Sequence, residues 1–228
     1  CGLLLSSASA QTTATTDPVG AMTFDISGGN PGFTAIAVPL VRKVEFEGQP
    51  LAISSDSLTF NTNSLQSFDF SLKDPSGNPL YFLEINSGQS SGLIIDILSN
   101  TDSTIELAMG GVDLTNIITV GESVSIRKYS TLGSIFGDNN EAGFVSTSSF
   151  STSDALLLLK SDGSYEQFFY QTIDPFFGES GWRKFGSTPT VKNFAEQRVE
   201  YDTGIVVRRR SSADHSFTVS GTVKLSAA

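Results

Sequence analysis

The residues best equipped for chemistry are few. His215, the one histidine, follows Asp214, and the chain has serines enough to complete a Ser-His-Asp triad on paper. Triad members converge from separate loops, whereas this pair lies in the polar run 211–216 between two strand-like segments, the usual setting of an exposed hairpin turn. No G-x-S-x-G elbow accompanies it. Glu84, Glu106 and Glu179 offer carboxylates for glycoside hydrolysis, but that reaction needs two acids at a set separation, and the sequence brings no two together. Asp138, Asn139, Asn140 and Glu141, ahead of Gly143, form an oxygen-rich stretch like a calcium loop. The EF-hand pattern is absent and the same residues favour ordinary turns, so no cofactor is expected and calcium is the lesser alternative. Aromatic side chains gather at Tyr165, Phe168, Phe169, Tyr170, Phe176, Phe177 and Trp182. Phe168 and Tyr170 share one strand face and read as core. Phe176, Phe177 and Trp182 flank Gly178 and Gly181 in a loop, and they make the candidate contact patch, with flat rings suited to stack on a sugar. Cys1 has no second cysteine to pair with, which leaves a lipid anchor as its candidate role.

Composition limits the elements that must position such groups. The chain has 228 residues, 14 Lys+Arg against 24 Asp+Glu, and a net charge of −10. Its 39% hydrophobic content, with 17 Phe, separates it from disordered chains, which combine low hydrophobicity with high charge. No apolar run approaches the roughly 20 residues of a transmembrane helix. An acidic balance argues against nucleic acid as a partner. The one basic cluster, Arg208, Arg209 and Arg210, continues a strand, so alternation sends Arg209 to the opposite face from its neighbours and pairing with acids is expected.

Residues 1–16 stand apart. An apolar start, Gly2-Leu3-Leu4-Leu5, leads to small residues, and Ala8-Ser9-Ala10 fits an A-x-A cleavage pattern before Gln11. Three readings follow: a signal remnant, a tether behind a lipidated Cys1, or a donor-strand arm. All three place the protein outside the cytoplasm, secreted or at the cell surface. In the arm reading Ser6, Ala8, Ala10, Thr12, Ala14 and Thr16 belong to a small, extendable segment without charge, Ser6–Thr16.

Residues 17–228 read as a single all-β domain: an antiparallel β-sandwich, jelly-roll-like or a partly open barrel, with very little helix. Phe68, Phe70 and Leu72 alternate with polar residues; so do Val124 and Ile126; so do Phe217, Val219, Gly221, Val223 and Leu225. Each predicts a strand with one wet face. Apolar runs at 33–40, 80–85, 93–98, 156–159 and 205–207 predict strands covered on both faces or at sheet crossings. Turn signals such as Asp74-Pro75-Ser76-Gly77 recur about every ten residues, the spacing of a sandwich or barrel. Residues 129–136 have room for one helical turn.

Several motifs, taken in order, carry a resemblance: Thr16-Asp17-Pro18-Val19-Gly20, Tyr129-Ser130-Thr131-Leu132-Gly133-Ser134-Ile135-Phe136, Gly181-Trp182-Arg183-Lys184, Asp202-Thr203-Gly204-Ile205-Val206-Val207-Arg208-Arg209-Arg210 and the closing strand from Thr218 to Val223. Together they resemble an uncharacterised family of secreted bacterial β-rich proteins that occurs as many paralogues in one genome. The similarity runs from about Thr16 to the end, and the stretch from Ile173 to Ser180 is longer than the family pattern. The resemblance implies export and a whole-chain β domain; it implies no catalytic residues.

The expectation is therefore an exported, non-enzymatic structural or surface protein that assembles with itself into extracellular filaments by strand addition. Its partners would be further copies of the chain or another cell-surface component. The alternative is a carbohydrate-binding or adhesive module that uses Phe176, Phe177 and Trp182 against a glycan.

Overall fold

The structure is a computed structural model, and it describes residues 18–160, 162–173, 178–187, 193–201 and 203–223. The chain is nearly all β, with 44% strand and 4% helix. In chain order the strands are β1 (Val19–Ile26), β2 (Gly32–Ala37), β3 (Leu40–Val41), β4 (Val44–Gly48), β5 (Ala52–Ile53), β6 (Ser57–Thr59), β7 (Tyr81–Ile85), β8 (Ile94–Asn100) and β9 (Thr104–Leu107). Then come β10 (Val124–Lys128), β11 (Ser130–Thr131), the one-turn helix α1 (Leu132–Phe136), β12 (Ala155–Leu159), β13 (Tyr165–Gln171), β14 (Gly181–Lys184), β15 (Arg198–Val199), β16 (Gly204–Arg209) and β17 (His215–Val223). No helix among the described residues is long and apolar enough to cross a membrane.

All strand pairs are antiparallel. They form a seven-stranded sheet, β4-β10-β7-β8-β9-β6-β5; a five-stranded sheet, β14-β13-β12-β16-β2; a three-stranded sheet, β1-β17-β3; and the pair β11-β15. None of the sheets closes into a barrel, and the arrangement fits a β-sandwich. Two hydrophobic cores result. The first joins Ile26, Phe217 and Val219 of the three-stranded sheet to Ile205, Val207, Leu156 and Phe168 of the five-stranded one, with Leu132 and Phe136 of α1 between them. The second lies under the seven-stranded sheet, around Leu58, Phe70, Leu83, Ile97, Ile105 and Ile126. Every strand of that sheet comes from residues 44–128.

Several strand expectations hold and several are corrected. Residues 80–85 are buried throughout, as a doubly covered strand requires. The helical turn forms, with Thr131 accepting from the Ser134 N–H and Ser134 answering with its hydroxyl. Phe68, Phe70 and Leu72 form no strand: their backbone turns, and Phe70 is buried while Phe68 stacks on it at 5.0 Å between ring centroids. Ser125 and Arg127 have no wet face: both are buried, Ser125 bonded to Asn86 and Arg127 to the Arg42 carbonyl beside Glu84. The run 33–40 alternates between exposed and covered positions, so it has one open face, and the run 93–98 is exposed at its two ends, Leu93 and Leu98, and buried at Ile95 and Ile97. The alternation of the last strand ends at Gly221, beyond which Thr222 is buried and Val223 exposed; Leu225 lies outside the described residues. The polar run 211–216 is a crossover between sheets, since β16 pairs with β12 and β2 while β17 pairs with β1 and β3.

That crossover packs tightly against the turn from β1 to β2. The Gly28 N–H donates to Asp214 Oδ1 at 2.7 Å, and the Gly29 N–H to the Ser211 carbonyl at 2.8 Å. A Cβ on Gly28 would run into the Ser212 carbonyl, so only glycine allows this approach.

Candidate functional site

The most unusual local geometry belongs to β17. Its register with β1 runs without a break from Val19↔Thr222 to Ile26↔His215. The Val223 N–H donates to the Pro18 carbonyl at 2.9 Å, which fixes the alternation: residues 215, 217, 219 and 221 aim their backbone groups at β1. The Thr23 and Thr218 hydroxyls meet at 2.9 Å, as expected for a directly opposed pair between those bonded positions. Residues 216, 218, 220 and 222 therefore aim their N–H and C=O groups at the other edge. There β3 covers only Thr222 and Val223. Among the described residues, no strand pairs with 216–221 on that side.

The reason β3 stops lies in the sequence around it. Pro39 precedes it and closes the end of the strand toward Val223, because it has no N–H to donate to a ladder. After Val41 the chain is drawn away into β4 of the seven-stranded sheet, and the Arg42 carbonyl accepts from Arg127 Nη1 at 2.8 Å. Where β3 would have continued, a slot of about 300 Å³ remains, walled by Val38, Leu40, Ile135 and Val219, with Arg42 and Lys43 among its lining. Val19, the first residue of β1, also reaches it.

A second polar centre joins the two cores. Arg198 Nη1 donates to both oxygens of Asp96, at 3.0 and 2.9 Å, and Nη2 to Glu200 at 2.8 Å. The guanidinium lies 3.6 Å from the Tyr129 ring centroid, and the Tyr129 hydroxyl donates to Asp96 at 2.7 Å. Burial pushes the Tyr129 hydroxyl far above its ordinary range. Burial works against the Arg198 charge as well, but its bonds to Glu200 and Asp96 outweigh this and raise it. Beside this centre, Asp74 accepts from Gln197 Nε2 at 2.6 Å and Lys128 pairs with Glu196 at 2.6 Å. An open groove of about 420 Å³ runs past Asp96 and Arg198 along Met109, Val112 and Ile117. The Tyr129 hydroxyl, the Asp96 and Glu200 carboxylates and the Arg198 Nη groups bond to each other, so the centre ties segments of the chain together.

The sequence-derived site residues scatter. Trp182 is not in a loop: it lies in β14, only 1% exposed, with its indole N–H donating to the Gly137 carbonyl at 2.8 Å. It therefore cannot offer a ring to a sugar, because its register opposite Tyr170 turns it into the first core. Phe176 and Phe177 lie outside the described residues, as do Cys1 and the arm positions Ser6, Ala8, Ala10, Thr12, Ala14 and Thr16. His215 Nε2 sits 2.5 Å from the Ala142 carbonyl, and Asp214 is bonded to Gly28. Glu84 is buried near Arg127, at 3.5 Å; Glu106 accepts from Ser99; Glu179 lies exposed in a separate loop. Glu141 accepts from the Asn139 N–H at 2.9 Å, and backbone bonds, its own first and then that of Asn139, hold its carboxyl below the usual range. No cluster of three His, Cys, Asp or Glu side chains suited to a metal occurs among the described residues. Of the arginine run, Arg209 forms a buried ion pair with Asp154 at 2.7 Å, and Arg208 lies 4.3 Å from the Phe150 ring centroid. Sequence reasoning missed the slot, though the close succession of Leu40-Val41 and Val44 was a signal of a strand cut short.

Compared with known protein families, curated proteins and solved structures, the chain matches none.

Proposed function

We propose that this chain is an exported, non-enzymatic structural or surface protein that polymerises by strand addition, with residues 6–16 of one copy extending the three-stranded sheet of the next. The observation that carries this reading is the β17 edge, whose groups at 216, 218 and 220 have no strand partner among the described residues. Unpaired edges recruit other chains, and main-chain bonds supply the affinity. Head-to-tail addition of this kind builds filaments when it does not close into a ring. The reading is supported also by residues 6–16, which are small and uncharged. Deleting residues 1–16 tests it: the full chain forms polymers visible by electron microscopy and fast-sedimenting species, and the truncated chain stays monomeric. Equal assembly of the two chains would refute the reading.

A second reading, glycan binding, draws on a different surface from the one that Trp182 suggested. Tyr165 and Phe185 are 47% and 54% exposed and lie at neighbouring strands of the five-stranded sheet, with Phe150 stacked on Phe185 at 4.1 Å. Binding to a glycan array that is lost in Tyr165→Ala and Phe185→Ala would favour it.

A further inference from the structure

Building on that assembly reading, we propose that the acceptor is the slot beside β17 where β3 stops, and that its occupant is the 6–16 segment of a second copy. Two edges of the three-stranded sheet compete for this role. The outward-bonding positions carry exposed side chains on both edges, 19, 21, 23 and 25 on β1 and 216, 218 and 220 on β17, but on β1 Asp25 adds a charge. The β17 edge presents the groups of 216, 218 and 220, and at its Ser220 end the slot adds an apolar wall of Val38, Leu40, Ile135 and Val219. There main-chain bonds and apolar burial come together, the combination that gives strand addition both affinity and specificity.

Small side chains let an added strand approach the β17 backbone closely along this partly open slot. Residues 6–16 are only Ser, Ala, Gln and Thr. Extended at about 3.3 Å per residue they reach roughly 36 Å, while 216–221 spans about 20 Å, which leaves several residues to bridge two copies. Charge agrees. Asp17 is the single charged residue before Pro18, and the slot is bordered by Arg42 and Lys43. A second copy is favoured over the chain's own segment by topology. Pro18 stands opposite Val223, and β3 occupies the other side of Thr222 and Val223. The chain's own segment would therefore have to cross the end of the sheet, pass β3 and reverse before it could run beside 216–221.

Disulfide trapping tests the assignment in the full chain with Cys1→Ser. Single cysteines from Ala8→Cys to Ala14→Cys in one population are mixed under oxidation with Thr218→Cys or, separately, Thr23→Cys in another. Adjacent strands bring Cβ atoms within about 5.5 Å, close enough to bridge, whereas a strand two places away lies about 10 Å off. The expected result is mixed disulfide dimers with Thr218→Cys at alternate arm positions and none with Thr23→Cys. Bridges to Thr23→Cys alone would place the arm on β1 and overturn the slot while leaving the assembly reading intact. In a chain carrying both Thr12→Cys and Thr218→Cys, purely intramolecular bridges at every dilution would show the segment closing its own sheet and would also overturn it. Polymers that persist after deletion of residues 1–16, without any bridge, would refute the assembly reading itself.

Discussion

The buried members of the second core all lie between Leu58 and Ile126, and every strand of the sheet above them comes from residues 44–128. The first core gathers residues from Ile26 to Val219, and its central strands β16 and β17 stand in different sheets. A core built within one stretch closes short loops; a core built from distant pieces must close long ones, at a greater entropic cost. The first core therefore depends on a few groups that fix the course of the chain: the Gly28–Asp214 bond at the crossover, the Asp154–Arg209 pair, and the Trp182 indole bond to Gly137. It is also the core with the interrupted strand. The departure of the chain from β3 into the seven-stranded sheet leaves β17 half paired, so the slot is a consequence of how the two regions are joined.

The contrast can be broken most severely at Val219, which is 5% exposed. Val219→Asp puts an unpaired charge into the first core at a cost on the order of 5 kcal/mol or more. Hydrogen exchange should show the amides of β12, β16 and β17 losing protection while those of Leu83, Ile97 and Val124 keep theirs. Loss of protection in both regions together would mean that the second core does not stand without the first. A smaller effect is expected at Arg209. Asp154 accepts from Arg209 Nη1, the Arg210 N–H and the Val145 N–H, all within 2.8 Å. Arg209→Ala leaves that buried carboxylate without its cation, so urea denaturation should register a loss of about 3–5 kcal/mol, confined to the first core.

How much of this could be read from the sequence depended on whether the cause was local. Residues 80–85 announced a doubly covered strand because an apolar run needs both faces buried, and the Thr131–Ser134 turn was legible because its capping bonds span three residues. Phe68 and Phe70 misled: a period of two also arises when a loop folds two rings into the same core. Ser125 and Arg127 looked wet because alternation reports side-chain character, and they are buried against partners far along the chain, Asn86 for Ser125 and Arg42 and Glu84 for Arg127. The sheet crossing after Arg209 depends on partners more than fifty residues away, which no window of sequence contains. Trp182 looked available among glycines because its burial depends on Phe136 and Tyr170.

The smallest expected effect sharpens the junction between the regions. Tyr129→Phe removes the 2.7 Å bond to Asp96 and should cost about 1 kcal/mol near neutral pH. The pH dependence carries a sign. Burial raises the Tyr129 hydroxyl in the folded chain above the ordinary value of 10.0, so its contribution is complete below that pH and is lost as pH rises past it, when the unfolded chain ionises first. Thermal melts should therefore decline above about pH 10 less steeply in Tyr129→Phe than in the parent. Some decline remains, because Tyr81 and Tyr170 are raised by burial too.

The claim that residues 6–16 complete the sheet beside β17 is tested most directly by amide exchange at Ser216, Thr218 and Ser220, whose N–H groups point away from β1. The account predicts that these three amides are protected in the assembled full chain, exchange quickly in the chain lacking residues 1–16, and regain protection when a peptide of residues 6–16 is added. Equal exchange in the full and truncated chains, unmoved by the peptide, would contradict it.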